Sequence, residues 1–328
     1  MNGARQGHSN GVLVIAGPSA SGKSRLAMAV ASAFNGVIIN ADSMQLYREL
    51  RILTARPSPM DEAAIPHRLY GVLPAAEACS AAAWRELALA GIAAAEAAGQ
   101  LPIVVGGTGL YVRALLRGLA AVPPIPPSVQ AEARALQERL GPEGFHRLLA
   151  ERDPAMAARL PPNDRQRLLR AFTVVTATGK SLADWQNAED GTPAFDRPYL
   201  GLRVDAPREW ICARCDARLE RMMEEGALDE VRALLALNLD PELPAMKALG
   251  VRELARHLRG EETLDAALAA TRLATRRYVK RQTTWLRNQV EHNFIAVNSI
   301  EMELNSNISV KIFPLIQNKL LTVQRGGV

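Results

Sequence analysis

Long apolar runs are missing from the 328 residues. None approaches the roughly 20 that a membrane-spanning helix needs, so no transmembrane segment is expected. The first ten residues, MNGARQGHSN, lack the apolar core of a secretory leader, and the cytoplasm is the expected compartment. Cysteine is scarce, with three in the chain, at positions 79, 212 and 215. Cys212 and Cys215 form a C-x-x-C, but no second pair and no histidines at ligand spacing follow, so zinc is disfavoured. Their surroundings, DAPREWICARCDARLERMMEEG, have a helical pattern, and a structural role is preferred over a metal or redox one. Nor is the chain poor in apolar residues: 48% are hydrophobic and 22% charged, which excludes a disordered polypeptide. Its length allows one large α/β domain or a core with a smaller partner.

Acidic residues are absent from one stretch, residues 272–287, which holds Arg272, Arg276, Arg277, Lys280, Arg281 and Arg287. On a helix, Arg272, Arg276 and Lys280 share one stripe at four-residue spacing. Such a face can be merely solvated, but a stripe without compensating carboxylates also suits a polyanion. The net charge of +5 is mild beside this local excess.

What is present begins with GVLVIAG, an apolar strand running into a loop and then the helical KSRLAMAVASAF. NGVIINADSMQLY repeats the pattern, and LPIVVGGTGLYVRALLRG supplies a third unit after an alanine-rich helix around residues 81–98. Continuous apolar strands alternating with helices predict a parallel sheet covered on both faces. Ligands of such sheets bind at the carboxyl ends of the strands, so residues 17–24, 42–45 and 106–108 should converge on one crevice. AVPPIPPS, with four prolines, reads as a stiff connector into a small helical region that ends near Gln186. Within that region Asn163 and Asp164 look like a helix start and Gly179 its stop. RPYLGLRVDAP returns a strand, and a helical pattern resumes to about Asn288. Thereafter six Asn and five Ile, against one Ala, mark a tail of different character for which no function is read. The expected division is a core of residues 1–120 and 197–290, an inserted helical domain of residues 121–196, and a tail of residues 291–328.

GPSASGKS fits G-x-x-x-x-G-K-[ST] at Gly17, Gly22, Lys23 and Ser24. Glycines let backbone N–H groups turn onto phosphate oxygens, Lys23 adds charge, and Ser24 can ligate Mg²⁺. A nucleoside triphosphatase or kinase would also want an aspartate closing a second apolar strand. LPIVV closes in Gly-Gly-Thr instead. The nearest acid is Asp42, which could be a turn residue or helix cap but is better placed as a general base. Two other readings are a small-molecule kinase and a non-catalytic RNA-binding ATPase module.

The segments GPSASGKS, NADSMQLYRELRILTARPS, IPH, LPIVVGGTGLYVRALL, PPNDRQRLLRAFTVVTATGKSLADWQ and ATRRYVKRQTTWLR, in that order, resemble the tRNA dimethylallyltransferases. The resemblance spans about residues 12–287. It implies a P-loop-type α/β core with an inserted helical domain. It also implies transfer of a dimethylallyl group from dimethylallyl diphosphate to N6 of the adenosine 3′ of the anticodon. The diphosphate would lie on Gly17, Ser19, Ala20, Ser21, Gly22, Lys23 and Ser24, with Mg²⁺ on Ser24. Asp42 would be the general base, Thr108 would border the reaction channel, and Arg218 would assist the diphosphate. The anticodon stem-loop of tRNA would meet Asp42, Ser43, Met44 and Gln45. It would also meet Gln166, Arg167, Leu168, Leu169 and Arg170, and Lys247, Gly250 and Arg252. No membrane partner is implied, and a monomer is expected. Trp185 and Trp285 could stack on bases, although core packing is the preferred reading. The chain departs from the family pattern in Val251, which replaces a usual tyrosine, and in its tail.

Overall fold

The computed structural model describes residues 11–188, 195–289, 294–300 and 308–321. The ten residues read for a secretory leader and much of the tail lie outside these. The chain divides into two compact units, residues 1–116 with 196–328, and residues 117–195.

The larger unit is built on six strands: β1 (Val12–Ala16), β2 (Gly36–Asn40), β3 (His67–Arg68), β4 (Leu101–Gly106), β5 (Tyr199–Asp205) and β6 (Phe294–Asn298). Their order is β3-β2-β4-β1-β5-β6 and every pairing is parallel. β1, β2 and β4 are buried along their whole length, which is why they read as unbroken apolar runs rather than alternating ones. The register aligns Leu13 with Ile103 and Ile103 with Ile38, a row on one face of the sheet. Helix α1 (Lys23–Ala33) covers that row through Leu26, Ala27 and Val30. Ile39 points the other way, as the two-residue period of a strand requires, and meets α3 (Ala81–Ala97) at Gly91. On that second face Trp84 is fully buried, donates its indole N–H to the Asn40 carbonyl at 2.9 Å, and stacks on Tyr111 at 4.4 Å. Helices thus cover both faces, as expected.

The described stretches of the Asn/Ile-rich segment are part of this fold. Phe294–Asn298 pairs with β5 from Gly201 to Asp205, and Ile308, Ile312, Ile316 and Leu320 complete the core beneath α1. Its apolar residues read as a tail because their partners are distant strands rather than neighbours in sequence.

The smaller unit packs α5 (Pro127–Arg152), α6 (Pro154–Ala157), α7 (Arg165–Thr178) and α8 (Leu182–Asn187) around Phe145, Leu149, Leu168 and Phe172. α5 breaks at Gly141, whose φ of 66° precedes Pro142. Asp164 caps α7 by accepting from Arg167 N, and Gly179 ends it at φ 67°. Both signals were readable in the sequence because they are local.

Candidate active site

Three loops meet at the carboxyl ends of β2, β4 and β1, which are neighbours in the sheet. Gly17 N donates to Gly106 O at 3.3 Å, and Thr108 N donates to Ala41 O at 3.3 Å. The glycines of G-G-T-G are there for close approach. A Cβ would lie 2.0 Å from Ala41 O at Gly106, 2.4 Å from Gln282 Nε2 at Gly107, and 2.1 Å from the Trp285 ring at Gly109. Trp285 is half-buried against Gly109, and Trp185 is half-buried beneath Lys180 and packs against the helical core of the smaller unit, as the packing reading has it.

Asp42 lines a cleft of about 640 Å³ together with Ser19, Ala20, Ser21, Gly22, Lys23, Ser24 and Gln45. Its position is fixed from behind. Asp42 N donates to Asn40 Oδ1 at 2.7 Å, and the Asn40 amide donates to Asp42 O and Leu69 O, both at 2.9 Å. One carboxylate oxygen, Oδ1, accepts from Met44 N at 3.0 Å, so the turn role is real. The other has no hydrogen-bond partner among the described residues and is available for chemistry. Thr108 Oγ1 accepts from Ser43 N at 3.0 Å, holding the same turn from the β4 side.

Helix α9 (Arg208–Glu224) supplies the facing wall with Arg214, Arg218 and Arg221 on one side of the helix. Seven cationic side chains line the cleft (Lys23, Arg25, Arg51, Arg56, Arg214, Arg218, Arg221) against three acidic ones (Asp42, Asp61, Glu225), a balance that suits a polyanion. Desolvation pulls the Lys23 ammonium down to about 8, with Asp42 opposing the shift and Arg218 adding to it. Burial likewise lowers Arg218, and it raises the Tyr278 phenol, with Asp42 adding to the rise. Anion affinity should therefore weaken as pH rises through about 8 in the free protein, because a neutral Lys23 loses its attraction. Titrating inorganic diphosphate across pH 7–10 checks this: the bend is expected near 8 and should vanish in Lys23→Arg.

Asp205 closes β5, on the other side of β1, and is the remaining strand-end acid that could serve a nucleotide-bound metal. Both of its oxygens are engaged by Arg203 at 2.9–3.2 Å, and it does not line the cleft. Among the described residues no group of three or more His, Cys, Asp or Glu could hold a metal.

Other expected site residues are distributed as follows. Gln166, Arg167 and Arg170 are exposed at the start of α7, but Leu168 is fully buried and Leu169 half-buried in the helical core. The Leu168 side chain packs inward because α7 needs that position for its apolar stripe. Gly250 is buried too. With φ 89° it starts α11 (Val251–Leu258) and packs beside Leu53, a backbone conformation that favours glycine. Lys247 and Arg252 are exposed and both lie near Glu242. Gln45 spends its amide hydrogens on Thr54 O and Ala55 O, at 2.8 and 3.1 Å.

Cys215 is buried against Ala20 of the phosphate loop, and Cys212 is half-buried. In α12 (Leu264–Gln289) the basic stripe is partly compensated after all: Arg272 pairs with Glu220 and Arg276 with Asp216, acids carried by α9. Arg277, Lys280, Arg281 and Arg287 have no carboxylate partner among the described residues.

Two important residues carry no sequence signal. Gln282, 5% exposed on α12, accepts from Ser19 N at 2.9 Å and donates to Gly107 O at 3.0 Å, tying the phosphate loop to the β4 turn. Glu230, in α10 (Ala227–Ala236), takes three successive backbone N–H groups, Arg51, Ile52 and Leu53, at 2.7–2.9 Å and so shapes the cleft wall.

Fold and site together define a P-loop α/β protein whose phosphate loop opens on a cationic cleft into which Asp42 presents a carboxylate oxygen with no partner among the described residues. The profile of the IPP transferase family matches residues 45–289. The chain is 57% identical over 279 residues to a tRNA dimethylallyltransferase of Rhodospirillum centenum, covering 85% of this chain and 89% of that one. It is 54% identical over 311 residues to the tRNA dimethylallyltransferase of Rhodospirillum rubrum, covering 95% of each. A crystallographic structure of a eukaryotic dimethylallyltransferase acting on tRNA superposes with TM-score 0.79 at 26% identity, over 96% of this chain and 81% of that one. The chain belongs to the IPP transferase family.

Proposed function

We propose that this enzyme transfers the dimethylallyl group of dimethylallyl diphosphate to N6 of the adenosine 3′ of the anticodon in tRNA, releasing diphosphate. The observation that carries this reading is the cleft itself. A phosphate loop faces three arginines of α9, while the carboxylate at the end of the neighbouring strand β2, Asp42, is held for proton acceptance rather than for a nucleotide-bound metal.

The chemistry asks for two things. Negative charge grows on the diphosphate oxygen as the allylic C–O bond breaks, and Lys23, Arg218 and the loop N–H groups stabilise it there. The exocyclic amine is a poor nucleophile and must lose a proton as its N–C bond forms. The free oxygen of Asp42 accepts it. Orientation contributes further, since Asn40, Ser43 and Thr108 fix that oxygen beforehand. Ser24 Oγ, at the start of α1, would be the protein's ligand to Mg²⁺, an ion that takes few protein oxygens beside a phosphate substrate. When bound, it would add positive charge to the leaving group.

Drawing an adenine out of its stack costs a few kcal/mol, less in an anticodon loop than in a duplex. Phosphate contacts offset that cost, and the free cations of α12 and the exposed Arg167 and Arg170 of α7 are the proposed sources. Reversing charge with Lys280→Glu and Arg281→Glu together should weaken tRNA binding roughly tenfold or more and lower the slope of affinity against salt by about two. Filter binding at several salt concentrations measures both, and unchanged values would return this face to ordinary solvation.

Incubating the protein with labelled dimethylallyl diphosphate and unmodified tRNA tests the function directly. Label should enter RNA and depend on the prenyl donor. Phosphoryl transfer from ATP with no label in RNA would favour a kinase instead.

A further inference from the structure

The segment after α12 lies beyond the part of the chain that the family profile matches, yet it reaches the phosphate loop. β6 pairs with β5 through five residues and so places Ser299 just past its end, where the side chain is 2% exposed. Ser299 Oγ donates to the carbonyl oxygen of Ser21, which is itself fully buried within the loop. No other side chain among the described residues hydrogen-bonds that carbonyl.

The Ser21 carbonyl matters because of the peptide unit it belongs to. A trans peptide directs its C=O and N–H oppositely, so whatever holds the Ser21 oxygen also aims the Gly22 N–H. Gly22 lines the cleft. On either side of Ser21 the backbone is left-handed, at Ala20 (φ 61°) and Gly22 (φ 87°). Left-handed residues in such a turn form the concavity of N–H groups that binds anions, and at a non-glycine such as Ala20 the conformation persists only if its surroundings enforce it.

We propose that Ser299 is a positioning residue for the proposed reaction: its hydroxyl anchors the Ser21–Gly22 peptide from inside the fold so that Gly22 N–H faces the diphosphate. The segment that supplies it is then a working part of the donor site and not an appendage. This rests on the reading of the loop as a diphosphate cradle.

The test is titration of the full-length chain with inorganic diphosphate and Mg²⁺, alongside steady-state kinetics in dimethylallyl diphosphate. Ser299→Ala should weaken diphosphate affinity and raise KM for dimethylallyl diphosphate on the order of fivefold, the loss expected for one hydrogen bond. KM for tRNA should not move. Ser299→Thr, which keeps the hydroxyl, should restore both values. Val297→Ala serves as a stability control, since Val297 is buried on β6 and does not touch the loop. It should lower Tm while leaving diphosphate affinity alone. If Ser299→Ala does not fold, Ser299→Cys, whose thiol is a weak donor, should show the same weakening. Wild-type affinity in Ser299→Ala or Ser299→Cys, or equal weakening in Val297→Ala, overturns the positioning role. Failure of the wild-type chain to bind diphosphate overturns the cradle reading itself, and the two failures are distinct.

Discussion

Asp42→Asn is expected to cut the turnover of prenyl transfer by about 10²–10⁴, the range lost with a positioned proton acceptor, while tRNA affinity and Tm stay near wild type. Asparagine is the informative replacement because it separates the two jobs the carboxylate performs. Its amide oxygen can still accept from Met44 N, as Oδ1 of Asp42 does at 3.0 Å, so the turn into Met44–Leu46 survives. Asn40 continues to hold the backbone of residue 42. What is lost is the basicity of the oxygen that has no partner. Single-turnover rates with saturating tRNA and prenyl donor give the comparison. A variant with near-normal turnover would mean that Asp42 is only a turn residue and that the amine proton leaves by another route.

Arg218→Ala should have the second-largest effect, a loss in kcat on the order of 10²–10³ together with weaker diphosphate binding. The guanidinium is half-buried on α9 across the cleft from Lys23, where reduced hydration strengthens its attraction for a developing oxyanion. Arg218→Lys should recover only part of this, because a single ammonium cannot match the planar fork that engages two oxygens. If Arg218→Ala changes KM alone, the arginine binds substrate and leaving group equally and gives no transition-state advantage.

These residues were legible in the sequence for different reasons. Lys23 and Ser24 belong to a spaced motif, and Asp42 and Thr108 close strands whose apolar runs are unmistakable, so topology alone brings them together. Arg218 and the tRNA segments came from resemblance rather than spacing. The fold's two faces, the Pro-rich connector and the caps of α7 were readable because they are encoded within a few residues. What escaped was set by distance along the chain. Gln282 reaches a loop 263 residues away, and Asp216 and Glu220 neutralise part of a stripe that looks uncompensated when α12 is considered alone. β6 is an edge strand defined by β5, with no periodicity of its own to announce it. Leu168 and Gly250 show the converse: residues inside a recognisable motif also serve packing and backbone conformation, which the motif alone does not reveal.

The most direct measurement is the identity of the modified nucleoside. After reaction of the purified chain with dimethylallyl diphosphate and an unmodified tRNA carrying adenosine 3′ of the anticodon, the RNA is digested and its nucleosides resolved by mass. The account predicts one N6-isopentenyladenosine per tRNA, released diphosphate in equal amount, and no product when that adenosine is replaced by guanosine. Unmodified RNA, or a prenyl group at any other position, would contradict it.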